Sequence, residues 1–191
     1  MKYQPDNLSP KKKKNALISI FLLTILITSF VIYKNTKGTE REQLLANNTK
    51  LTICKIIQTS TYKGITNTVE YNVSGKKYTY QGLSYKGFLI GELYRLKYSI
   101  VNPEISEVIY SKPVIDNIND YKESKGKIIS LYSNSKVNII KLQYDYREKK
   151  YERSLYVNNI SEYEKNIEYT ILINKKKPKI SYLKSTVEIL N

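Results

Sequence analysis

The stretch GELYRLKYSIVNPEIS, residues 91–106, decides the reading of this chain, because NIEYTILINKKKPKIS, residues 166–181, repeats its pattern 75 residues later. In both, a residue that tolerates positive φ (Gly91, Asn166) precedes a run of alternating apolar side chains. These are Tyr94, Leu96 and Tyr98 in the first run and Tyr169, Ile171 and Ile173 in the second. A period of two marks a strand with one buried face, and Gly and Asn best occupy the left-handed region before such a strand begins. Asn102-Pro103 and Lys177-Pro178 end the runs, since proline fixes φ and cannot continue a ladder.

Working outward, Ile56 and Ile57 fall on Ile128 and Ile129 at an offset of 72, and Tyr71, Val73 and Tyr78 fall on Tyr144, Tyr146 and Tyr151 at 73. The offset grows only by the one or two residues that surface loops absorb, so the pattern reads as a duplication. Each copy is expected to hold five strands, near residues 51–58, 68–73, 77–81, 93–100 and 104–110 in the first. Ser74-Gly75 suits a tight hairpin, whereas the matching Arg147-Glu148 has no glycine and predicts a longer or differently shaped loop. Five short strands in about 60 residues favour a bent sheet or partly closed barrel, because closure hides edges. The expected fold class is therefore mainly β, with an N-terminal transmembrane helix followed by two tandem small SH3-like or OB-like five-stranded units. The units are placed at residues 51–115 and 125–191, with a linker or short helical turn over 116–124.

Residues 16–33, ALISIFLLTILITSFVIY, hold no charge over 18 positions, enough to span about 27 Å of hydrocarbon at the helical rise of ~1.5 Å. The run is longer than the apolar region of a cleavable signal peptide, and KNTKG after it offers no small-x-small site, so an uncleaved anchor in membrane lipid is expected. Lys2 and Lys11 to Lys14 precede the span, while Lys34, Lys37 and Arg41 follow it. That bias places residues 1–15 in the cytoplasm and the β units outside it, across a bacterial inner membrane. Thr24 and Thr28 are expected to bond their own backbone. Thr39-Glu-Arg-Glu42 is a capping-box pattern, which predicts a short juxtamembrane helix or a helical extension of the span within a spacer over residues 34–50.

With 32 Lys and Arg against 17 Asp and Glu, the chain carries +15, of which +6 lies in residues 1–50 and +9 in the remainder. The chain has no histidine and one cysteine, Cys54. This excludes a disulfide within the chain, a Cys/His zinc site and His-based catalysis, and Cys54 reads as a small buried hydrophobe in the first strand. No phosphate-cradling loop, dinucleotide-binding glycine motif, calcium loop or serine elbow is present, so no cofactor and no enzymatic activity is expected.

The hairpin YNVSGKKY (71–78), the strand GELYRLKY (91–98) and the turn NPEIS (102–106) together resemble an uncharacterised bacterial family of membrane-tethered small β domains, here in two tandem copies. The resemblance covers about residues 51–110 well. It covers 125–183 more weakly, where both glycines and the Asn-Pro-Glu triplet are missing. It implies a tethered β domain and no chemistry.

The candidate binding residues are cations interleaved with tyrosines: Lys76, Lys77, Tyr78 and Tyr80 in the first copy, and Arg147, Lys149, Lys150, Tyr151 and Arg153 in the second. Such pairs bind sugars, peptides or single-stranded nucleic acid through stacking and charge, or simply form an outer strand whose lysines discourage edge pairing. The expected function is a non-enzymatic, envelope-facing binding or scaffold module with an envelope protein or cell-wall partner. The alternative is an OB-like domain inside the cell holding nucleic acid near the membrane.

Overall fold

The computed structural model describes residues 10–62, 64–84 and 88–190; Lys2 lies outside them. Helix α1 (Pro10–Ala46) is continuous over 37 residues, ~55 Å at the rise of ~1.5 Å per residue. From Leu17 to Tyr33 every Leu, Ile, Phe, Val and Tyr is at least 46% exposed. A helix apolar on all sides has no face suited to water, and this one is long and apolar enough to cross a membrane. Thr24 and Thr28 donate to the carbonyls of Ile20 and Thr24 at 2.9 and 2.8 Å, as expected of hydroxyls that satisfy their own backbone.

Of the two forms expected beyond the span, the structure holds the helical extension, with α1 continuing to Ala46. The span runs straight through Thr39, whose hydroxyl donates back to the Asn35 carbonyl at 3.0 Å. A helix that arrives already wound has no orphaned N–H groups for a capping box to satisfy. It ends at Asn47-Asn48, where the Asn47 N–H donates to the Gln43 carbonyl at 3.0 Å and Asn48 turns at φ 54°.

The rest is mainly strand. β1 (Thr49–Ser60), β2 (Ile65–Val73), β3 (Lys76–Ser84), β4 (Leu93–Ser99) and β5 (Ser106–Ile115) precede β6 (Tyr121–Ser133), β7 (Asn138–Tyr146), β8 (Lys149–Val157), β9 (Glu168–Asn174), β10 (Ser181–Leu183) and β11 (Glu188–Ile189). One sheet has the order β11-β5-β4-β1-β2-β3 and the other β10-β9-β6-β7-β8. Apart from β11 the two orders are the same, strand for strand. The first sheet curls into a half-barrel that brings β3 toward β5.

Local devices recur with the topology. β1 is bulged between Ile56 and Gln58, and β6 between Ile128 and Ser130. The Gly91 N–H donates to the Ile56 carbonyl at 2.8 Å and the Asn166 N–H to the Ile128 carbonyl at 2.7 Å, with φ of 98° and 70° at the two donors. The Tyr71 hydroxyl donates to the Pro103 carbonyl at 2.6 Å, and the Tyr144 hydroxyl to the Pro178 carbonyl at 2.7 Å.

Three expectations change. The Arg147-Glu148 loop is neither longer nor differently shaped. It closes in two residues, with Tyr146 opposite Lys149, as Ser74-Gly75 does with Val73 opposite Lys76. Arg147 (φ 49°) and Glu148 (φ 61°) accept the left-handed conformation that a two-residue turn requires, because the twist of the paired strands sets the turn type. β6 starts at Tyr121, so the stretch expected as a linker or short helical turn is shorter than expected, and it holds such a turn, a 3-10 turn (Ile118–Asp120) capped by the Asn117 side chain. Finally, the C-terminal segment leaves the second sheet. β11 pairs in parallel with Val114 and Ile115 of β5, and Glu188 forms an ion pair with Arg95 of β4.

The two sheets share one core. Ile56 and Leu96 of the first and Ile128, Ile140, Leu142, Ile171 and Ile173 of the second are fully buried in a single cluster. Aromatic rings bridge the sheets. Phe88 stacks on Tyr110 at 4.4 Å and on Tyr156 at 5.6 Å, and Tyr94 meets Tyr182 edge-on at 6.4 Å. Offset and edge-on geometries put ring edges against ring faces, which makes this seam directional as well as apolar.

Candidate functional site

The Lys/Tyr interleaving sits at one place in each unit, on β3 and β8, each the last strand of its sheet. The two hairpins do not merge into one surface, since they belong to different sheets. Alternation puts Lys76, Tyr78 and Tyr80 on one side of β3 with Lys77 on the other, and Lys149, Tyr151 and Arg153 on one side of β8 with Lys150 on the other. Tyr78 stacks on Tyr71, and Tyr151 on Tyr144, both at 5.7 Å. One face of each candidate platform is therefore covered from within.

The neighbouring cations are partly engaged. Lys76 lies over the Tyr78 ring at 5.0 Å and Lys77 pairs with Glu70 at 3.2 Å. Arg147 lies over the Tyr146 ring at 5.1 Å, while Lys149 and Lys150 are exposed. Tyr80 is taken up by the helix. Arg41 of α1 sits 5.8 Å from its ring centre and donates to the Ser106 carbonyl at 2.6 Å. With Leu45 buried beside it, Arg41 spans the gap between β3 and β5 and ties the helix end to the half-barrel.

Arg153 departs most from its expected place on an outer strand. It is 8% exposed, and its Nη2 donates to Glu92 Oε1 at 2.5 Å in an ion pair between the two units. Glu92 enters from the turn before β4 and is also buried. The Tyr94 hydroxyl donates to Glu92 Oε2 at 3.0 Å, Arg153 Nη1 donates to the Lys179 carbonyl at 3.2 Å, and the guanidinium lies over the Tyr182 ring at 5.5 Å.

Burial pushes the Glu92 carboxyl up from its ordinary value, with Arg153 and the Tyr94 hydroxyl opposing. Burial likewise opposes the charge on Arg153, but the Glu92 carboxylate beside it more than offsets this and holds it above its usual range. Tyr94 and Tyr182 are pushed up as well, mainly by burial and then by the Glu92 charge. The cluster is a closed polar joint in an aromatic seam. A signal for it lay in the sequence, in a lone carboxylate beside Gly91 and an arginine at a strand position that alternation turns inward.

The surface carries two clefts, one of them lined in part by Arg153 of the joint. One of about 450 Å³ runs along β8 and is lined by Leu89, Lys150, Tyr151, Arg153 and Lys179 among others. A second, of about 540 Å³, opens where β3 and β5 diverge beside the β6–β7 turn. Comparison of the chain with protein-family models, with curated proteins and with solved structures found no match.

Proposed function

We propose that the chain is a non-enzymatic, single-pass membrane protein whose β domain, held outside the cytoplasm, serves as a binding or scaffold module for an envelope protein or cell-wall partner. The observation that carries this reading is the wholly exposed apolar surface from Leu17 to Tyr33 on a helix that continues unbroken into its docking contact with the β domain. Lipid covers such a surface, and the Arg41 and Leu45 contacts couple the anchor to the module it carries. The lysine asymmetry across the span supports the outward placement. The shared strand order, paired bulges and matched tyrosine hydroxyl bonds support duplication of one ancestral β unit.

The reading with nucleic acid as partner is the weaker one. Stacking platforms for bases need free aromatic faces, and Tyr78 and Tyr151 each have one ring face occupied by a neighbouring tyrosine. The test is carbonate extraction combined with C-terminal reporter fusions. Retention in membranes, with activity only from a reporter that works outside the cytoplasm, is the expected result. Activity only from a cytoplasmic reporter overturns the placement, and release by carbonate overturns the anchor.

A further inference from the structure

The edges of the two sheets are not alike. β11 and β10 offer only two and three residues, and β8 carries Lys149, Lys150 and Glu152 along its length. β3 ends the first sheet with a long run, Tyr78 to Ser84, that holds no charge and no proline, and its Leu83 is 79% exposed. Charges, prolines and short length are what keep an edge from recruiting another strand, so β3 is the unguarded edge.

The hairpin fixes which backbone groups this edge presents. A two-residue turn closes on a hydrogen-bonded pair, here Val73 and Lys76, so every second residue from Lys76 bonds to β2. The N–H and C=O of Thr79, Gln81 and Leu83 therefore point away from β2. On β5, the Ser99 N–H donates to the Ile105 carbonyl at 2.9 Å, and the same alternation turns Ser106 and Val108 away from β4. The half-barrel brings these two edges toward each other, and no strand among the described residues pairs with either of them there. Arg41 donates to the Ser106 carbonyl at the foot of the gap. Beyond it, the cleft of about 540 Å³ runs between Gly82 and Leu83 on one side and Val108 and Ile109 on the other. β3 and β5 also run in the same direction, because successive antiparallel pairings through β2, β1 and β4 connect them. One strand laid between them is antiparallel to both, which is the better-bonded arrangement.

We propose that the gap between β3 and β5 takes up one extended segment of another protein, which pairs antiparallel with both edges and closes the half-barrel. A peptide backbone supplies donors and acceptors at the strand spacing on both of its sides, which neither a sugar nor a nucleic acid does. The inward side chains of that segment are apolar, since they meet Val108 and Tyr110, and its outward ones lie beside Leu83 and Glu107. The proposal rests on the reading of the β domain as a binding module and names the class of its partner, but it does not depend on which side of a membrane the domain faces.

Amide hydrogen exchange of the full-length chain in maltoside detergent, read over residues 78–84 and 106–111, provides the test. The probe is a mixture of peptides about nine residues long, with Val, Ile, Thr or Tyr at odd positions and Ser, Thr, Gln or Glu at even ones. The control is the same mixture N-methylated throughout, which cannot donate to a ladder. The unmethylated peptides are expected to slow exchange about tenfold in both segments and to leave β8 unchanged. Gln81→Pro removes an outward N–H and spares the β2 ladder, and Leu83→Lys adds the missing guard. Either variant is expected to abolish the slowing at residues 106–111 as well, on a strand that it does not alter. No slowing, slowing of one edge alone, an equal response on β8 or to the methylated peptides, or slowing undiminished in both variants overturns the proposal. Slowing that grows with protein concentration in the absence of peptide makes a second copy the occupant and overturns a foreign strand. Release of the chain by carbonate or a cytoplasmic reporter signal leaves this result untouched, so the two readings fail separately.

Discussion

Replacing Arg153 with methionine tests whether the polar joint holds the two β units together. The substitution keeps the length of the side chain and removes its charge, leaving Glu92, among the described residues, with no counterion and only the Tyr94 hydroxyl, at 3.0 Å, as a side-chain donor. The Glu92 side chain is 0% exposed, so water cannot replace what is lost. Removing one partner from such a pair costs about 3–5 kcal/mol, a large part of the ~5–15 kcal/mol that holds a domain together. The loss must also depend on pH. Burial already raises the Glu92 carboxyl, and without Arg153 it rises further. A carboxyl raised in the folded state binds its proton more readily there than in the unfolded chain. Its contribution is full below the unfolded value and declines as pH rises through the folded one. The variant therefore regains up to about 1.4 kcal/mol for each pH unit of acidification within that window. Urea unfolding of the full chain in detergent, followed by circular dichroism between about pH 8 and pH 5, measures both effects. A loss under about 1 kcal/mol at the alkaline end, or a pH slope equal to that of the wild type, refutes the reasoning. Adding Glu92→Leu to the variant should restore most of the stability, because an apolar pair needs no counterion.

The matched hairpins give a second measurement. Glu148→Gly relieves a positive φ and should add about 0.5–1 kcal/mol in thermal unfolding, whereas Gly75→Glu should subtract about as much. Equal effects of the same sign at the two positions would show that the turns are not equivalent. Cys54 is 1% exposed and burial pushes its thiol up to about 12, so thiol reagents near neutral pH should label it only after denaturation. Rapid labelling of the native protein would contradict the packing described for β1. Arg41→Met removes the bond to the Ser106 carbonyl and should cost about 1–2 kcal/mol, read as faster hydrogen exchange in the last turn of α1. Unchanged exchange there would mean that Leu45 alone docks the helix.

The residues themselves determined the local part of this protein. An uncharged run of 18 residues can only be a helix with an apolar surface all round, and its composition says so without reference to anything else. Period-two alternation around Tyr94 and Ile171 placed strands, and Gly91 and Asn166 announced the positive φ that both adopt, because these are properties of adjacent residues. Contacts between residues far apart along the chain follow a different rule. The two-residue turn at Arg147-Glu148 was hidden because strand pairing overrode the preference of the turn residues. Thr39 read as a cap because its tetrapeptide fits one, yet the helix already formed before it left nothing to cap. Whether the two units would sit apart or fuse was decided only by the tertiary structure, which brings Glu92 to Arg153, Phe88 to Tyr156 and β11 to β5. The closure of these long loops is set by burial summed over both sheets, and no single window of sequence records that sum.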